Sequence, residues 1–93
     1  MTNLDRITFE TKKILADTLK LGERGAAMTH GTALLGSIPE LDSVAVVAII
    51  LALEKNFSIT IQDDEISAKT FETLGTLVEF IAVKTAENTL QNN

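Results

Sequence analysis

The sequence predicts a small all-α domain with three main helices, a short helix before the last of them, and a long first loop. Three observations lead there. Apolar residues recur at helical spacing over the first twenty positions and again after residue 73. An unbroken apolar run of ten residues, Val44 to Leu53, follows directly on Asp42-Ser43, a pair suited to capping a helix. Four of the five glycines fall between residues 21 and 41, where no period is visible, and the only proline, Pro39, stands just ahead of the Asp-Ser pair.

The first helix is expected from about Asn3 to Lys20, with Leu4, Ile7, Ile14, Leu15 and Leu19 on one face. Thr2 and Asp5 form a capping pair in which the acid replaces the commoner Glu or Gln. Lys12, Lys13 and Lys20 sit where positive charge suits the helix dipole, and Gly22 supplies a stop. Glu10, Asp17 and the neighbouring lysines read as a solvated face.

From Leu21 to Leu41 the chain reads as loop. A loop of this length in a compact domain usually has a purpose. Leu34, Leu35 and Ile38 are expected to pin its second half to the core, and Met28 to anchor it. Its glycines are spaced too irregularly to cradle a phosphate or dinucleotide. His30, the only histidine, has no partner for a triad or a metal site and reads as a solvated loop residue.

The second helix is expected over residues 43 to 56, with Asp42 or Ser43 as its cap. At about 100° per residue it carries two apolar stripes. Val46, Ile49, Ile50 and Leu53 make one; Val44, Val47, Ala48 and Leu51 make the other, roughly opposite. A helix apolar on both sides is either buried all round or keeps one side for a partner, and a domain of 93 residues has little material to bury both.

Phe57 to Ile61 alternates like a short extended segment. Asp63, Asp64 and Glu65 then crowd the start of a short helix, where acids suit the dipole; loose attraction of a cation is the other reading. Phe71 anchors the connection that follows. Thr73 caps the last helix, whose inner stripe is Leu74, Leu77, Val78 and Ile81. The polar tail after about Ala86 is expected to fray. The whole chain, 1–93, reads as one domain without repeats.

Composition removes several function classes. The net charge of −5 disfavours nucleic acid and anionic membrane surfaces, and the only aromatics are four phenylalanines, with no Trp or Tyr to stack on bases. No cysteine is present, which excludes disulfides and thiolate metal sites. The longest apolar run is about half of what a bilayer span needs, and the N-terminal MTNLDR has no apolar core for a secretion signal. The expectation is a monomer of the cytoplasm. A hydrolase built on Ser43 would need an activating base, and none accompanies it.

The stretch Pro39-Glu40-Leu41-Asp42-Ser43-Val44 resembles the acyl carrier proteins, as does Ala52-Leu53-Glu54-Lys55-Asn56-Phe57 at the end of the second helix. The likeness extends over nearly the whole chain. Asp-Ser followed by an aliphatic occurs by chance in roughly one chain in ten of this length, so its place at the start of an apolar helix carries the signal. The family's usual Asp-Ser-Leu is Asp42-Ser43-Val44 here.

The resemblance implies a non-enzymatic carrier with a 4′-phosphopantetheine arm on Ser43, on which acyl groups ride as thioesters. It gives Asp42 a part in recognition by the phosphopantetheinyl transferase and in holding that enzyme's divalent ion. It implies acyl-loading and acyl-transferring enzymes of fatty acid or polyketide synthesis as partners, docking on Val44, Val47, Ala48, Leu51 and Glu54. Carriers of general fatty-acid synthesis spread several acids along this helix, whereas Val44 to Leu53 has none. IPELDSVAVV also looks like carriers that accompany bacterial exosortase and exopolysaccharide clusters, which implies a dedicated role. The alternative is a helical interaction module that bears no arm and uses the same apolar face only to dock.

Overall fold

The computed structural model describes residues 3–91, with side chains described through residue 87. Four α-helices follow in order: α1 (Asn3–Leu19), α2 (Glu23–Ala26), α3 (Ser43–Phe57) and α4 (Leu74–Gln91), with a single 3₁₀ turn at Asp63–Glu65. Among the described residues there is no strand. The predicted second helix is therefore α3, and the predicted short helix is the 3₁₀ turn. The one-turn α2 inside the long loop was not legible. Helix α4 extends to Gln91, into the polar tail, and Thr2, the expected cap of α1, lies outside the described residues.

Helix α1 is the hub, since α2, α3 and α4 all pack against it. Its Ile7, Leu15 and Leu19 meet Ile49 and Leu53 of α3 and Leu74, Leu77, Val78 and Ile81 of α4 in one core that also takes in Leu34 and Phe71. The expected inner face of α1 needs two corrections. Leu4 is exposed, because the helix begins beyond the edge of the core, and Thr11 is fully buried in its place.

Thr11 Oγ1 has no hydrogen-bond partner. A buried hydroxyl left unpaired loses its hydration without compensation. Thr11→Val keeps the shape and removes that cost, so urea melts should show a gain of about 1–2 kcal/mol. A loss of stability would mean that the hydroxyl is satisfied in solution.

The glycine expected to stop α1 is not the residue that does so. Lys20 takes the left-handed conformation (φ 57°), and Leu21 N–H bonds back to the Ala16 carbonyl at 3.0 Å. Helix α3 ends the same way, with Ser58 at φ 55° and Ile59 N–H on the Glu54 carbonyl at 3.1 Å. In both cases the residue after the left-handed one, Leu21 or Ile59, is buried. Burying such a side chain contributes about 2 kcal/mol, enough to offset the 1–2 kcal/mol that a non-glycine residue costs in that conformation. Gly25 has a different task. A Cβ there would lie 2.4 Å from the Ala16 Cβ, so only glycine lets α2 press onto α1.

The loop from α2 to α3 is tied down by backbone. Ala33 and Thr73 form an antiparallel bridge; Leu34 and Leu35 N–H groups donate to the Glu72 and Phe71 carbonyls, each at 2.9 Å. Leu34 and Met28 are buried as expected and Ile38 is half-buried. Leu35, expected in the core, is held by its backbone instead and leaves its side chain exposed. Farther on, Ile59 and Ile61 are buried and Ser58 and Thr60 exposed, so the alternation is real although no strand pairs with it. Thr73 caps α4, accepting from Thr76 N–H at 3.1 Å.

Candidate functional site

The site is the junction of the loop with α3. Leu41 is buried and fixes where the loop ends. Asp42 is extended (φ −104°, ψ −176°), and its Oδ1 accepts from Ala45 N–H at 2.8 Å while its carbonyl accepts from Val46 N–H at 2.9 Å. Asp42 is thus the cap, which decides between the two residues left open above. Ser43 becomes the first residue of α3, exposed and relieved of capping.

The electrostatics at this point favour a negative group. The first N–H groups of a helix have no intrahelical acceptor, and the macrodipole places partial positive charge there. Just upstream, Glu40 pairs with Arg24 of α2. The Arg24 guanidinium holds the Glu40 carboxyl below its usual range, chiefly through that hydrogen bond. This exposed pair joins α2 to the approach to Ser43, although a pair so open to solvent contributes little stability.

The outward stripe of α3 is open. Val44, Val47 and Leu51 are 78%, 57% and 60% exposed, and Ala48 is exposed between them. On the other side Ile49 and Leu53 are buried, and Val46 and Ile50 are half-buried against the core. Glu54, also expected on the docking face, has a second task. It is half-buried, and its Oε2 accepts from Ile61 N–H at 2.8 Å, so its carboxylate clips the chain leaving α3.

One turn along α3 from Ser43 an apolar hollow of about 310 Å³ opens between α3 and the segment before α4. Its lining is Leu35, Val46, Ile66, Ser67, Ala68 and Phe71. Neither it nor the loop carrying His30 gathers the groups that a catalytic centre needs. Thr8 Oγ1 lies 2.9 Å from the Leu4 carbonyl and 3.2 Å from His30 Nε2, so a hydrogen bond between the hydroxyl and the ring pins the loop to α1. Of the acids at 63–65, Glu65 bonds Gln62 N–H and Lys84. Among the described residues no cluster is able to hold a metal ion and no helix is long and apolar enough to cross a membrane.

An exposed serine at the first position of an apolar helix, with an apolar hollow one turn away, suits a protein that presents a group on that serine. Comparison with solved structures gives that class a family. The chain is similar to a holo acyl carrier protein from Nitrosomonas europaea, solved in solution by NMR, with 50% sequence identity, a TM-score of 0.79, and alignment over 92% of this chain and 99% of that one. No protein-family model and no curated protein matches it. The chain belongs to the acyl carrier protein family, whose members are carriers and not enzymes and whose cofactor is 4′-phosphopantetheine. Proteins of this family interact with enzymes that load and transfer acyl groups.

Proposed function

We propose that Ser43 carries the 4′-phosphopantetheine arm and that this single domain passes acyl groups among partner enzymes as a monomer in the bacterial cytoplasm. The observation that carries the reading is the division of labour at the start of α3: Asp42 makes the cap bond, and Ser43 is left exposed as the first helical residue. The residues fit the group. A phosphodiester on Ser43 Oγ would face the unshared N–H groups of the first turn. The cofactor supplies the thiol that holds the acyl group as a thioester, so the lack of cysteine in the chain is no obstacle. The apolar lining of the hollow suits an aliphatic chain. The test is intact mass after incubation with coenzyme A and a phosphopantetheinyl transferase. Addition of one phosphopantetheine is expected, and an unmodified chain across several broad-specificity transferases would sink the reading in favour of an arm-free docking module.

The same reading assigns Val44, Val47, Ala48 and Leu51 to the docking of loading and transferring enzymes, and a dedicated pathway rather than the housekeeping one. Its support is that no acid interrupts Val44 to Leu53. A partner reading a row of carboxylates would lose affinity steeply with salt. A partner of this stripe should lose no more than about threefold between low and physiological ionic strength, the remainder coming from Glu40 and the 63–65 acids. Steep salt dependence, together with indifference to Leu51→Ala, would return the protein to the acidic-helix mode of recognition.

A further inference from the structure

The outer wall of the hollow is a flap with its own internal bonding. Glu65 N–H donates to the Gln62 carbonyl (3.0 Å), Ile66 N–H to the Asp63 carbonyl (3.3 Å) and Thr70 N–H to the Ser67 carbonyl (3.0 Å). Its two ends are fixed to the rest of the protein. At one end Ile61 N–H sits on Glu54 Oε2; at the other the Thr70 carbonyl accepts from Thr76 Oγ1 at 3.0 Å and Phe71 is buried. Between those ends the flap is joined to α4 by an ion pair. Lys84 Nζ lies 2.7 Å from Glu65 Oε1, with the two side chains only 16% and 30% exposed.

Three features make this pair more than a surface contact. Glu65 directly precedes Ile66, which lines the hollow and packs on the core. Both oxygens of Glu65 are engaged, because Oε2 accepts from Gln62 N–H at 2.8 Å, and this fixes the carboxylate relative to the flap. Lys84 also has a second acid, Glu87, at 3.8 Å, so its ammonium keeps a counter-charge when Glu65 leaves. The Lys84 hydrogen bond, followed by the Gln62 N–H, holds the Glu65 carboxyl below its usual range, and Glu65 raises Lys84, so the pair stays ionised at neutral pH.

We infer that the Glu65–Lys84 pair is a latch on the hollow and that Lys84 is a positioning residue, holding the flap closed over the aliphatic part of the carried acyl group. The inference rests on the carrier reading and adds a control on how well the cargo is shielded. With the latch shut, the chain of the cargo lies against Val46, Ile66 and Phe71. With it open, Ile66 swings away and the cargo is offered to solvent or to a partner.

The first test needs no arm. In the unloaded protein, amide hydrogen exchange at Glu65 and Ile66 should quicken about tenfold in Lys84→Gln and in Glu65→Gln, while the amides of Leu53 and Leu77 stay protected. The second uses the loaded protein. Hydroxylamine should release an octanoyl group about tenfold faster from Lys84→Gln than from wild type, with release of an acetyl group unchanged and Lys84→Arg close to wild type. A merely structural lysine would move both acyl groups equally. Equal acceleration of acetyl and octanoyl, or unchanged exchange in the flap, would overturn the latch. Failure of the wild type to accept the arm would overturn the carrier reading and leave the exchange result to decide whether the flap is latched.

Discussion

Ser43→Ala should accept no phosphopantetheine under conditions that load the wild type to completion, an effect of all or nothing in an intact mass spectrum. Three other serines, Ser37, Ser58 and Ser67, are exposed, so accessibility alone does not select Ser43. Position does. Ser58 lies just past the C-terminus of α3, where the macrodipole is negative and a phosphodiester would be disfavoured. Ser67 sits in the flap, with its backbone N–H donating to Thr70 Oγ1 at 3.3 Å, and Ser37 in the loop before Pro39; neither begins a helix. Modification of Ser43→Ala to the wild-type extent would move the site to one of these and refute the assignment.

The same experiment separates the two roles given to Asp42. Its cap bond to Ala45 N–H requires an acceptor but not a charge, and asparagine caps as well as aspartate. Asp42→Asn should therefore keep the thermal midpoint and be modified more slowly, because the carboxylate implied to help hold the transferase's divalent ion is gone. Asp42→Ala should in addition lose about 1 kcal/mol of stability. Equal modification of Asp42→Asn and wild type would reduce Asp42 to a cap.

Much of this architecture can be read from residue order. The stripe Leu74, Leu77, Val78 and Ile81 has one polarity and could face only one way, and all four residues are buried. Asp42-Ser43 ahead of an apolar run marked the start of α3, leaving only which of the two residues caps it for the structure to decide. What escaped the sequence was tertiary. Both sides of α3 are apolar, so the helical wheel gave two faces without choosing between them; the family resemblance chose, and the burial of Ile49 and Leu53 agrees. Leu4 and Leu35 fit a period or a loop anchor, yet neighbouring elements cover them only in part and both side chains stay exposed.

Close approaches were equally silent. Gly75 follows the cap of α4 because a Cβ there would meet the His30 carbonyl at 2.9 Å, and the Gly75 N–H bonds that carbonyl at 2.8 Å. Glu54 had the composition of a rim charge, and only the fold shows its carboxylate turned to Ile61. A signal for the flap did exist in the sequence. Glu65 and Lys84 are opposite charges bordering apolar stripes, but a separation of nineteen residues across two elements gives no spacing rule that could pair them.

Leu53→Ala should be among the most destabilising single truncations in the protein, and Leu51→Ala, two residues away, among the mildest. Leu53 is 1% exposed, and its loss leaves a hole between α3 and its neighbours in the core that a closely packed interior closes only in part. The expected cost is about 2–5 kcal/mol, a large part of the stability of a domain this small. Leu51 is 60% exposed and gives up little buried surface, so its truncation should stay within about 0.5 kcal/mol. Alanine is also the better helix former, which offsets part of even that. Urea melts of the two variants, compared at equal m-value, decide the matter. Costs in the reverse order would mean that α3 is rotated by half a turn, with Val44 and Leu51 in the core. Costs in the expected order leave Leu51→Ala a folded protein whose proposed docking stripe has lost its largest side chain, and so a clean probe of partner affinity.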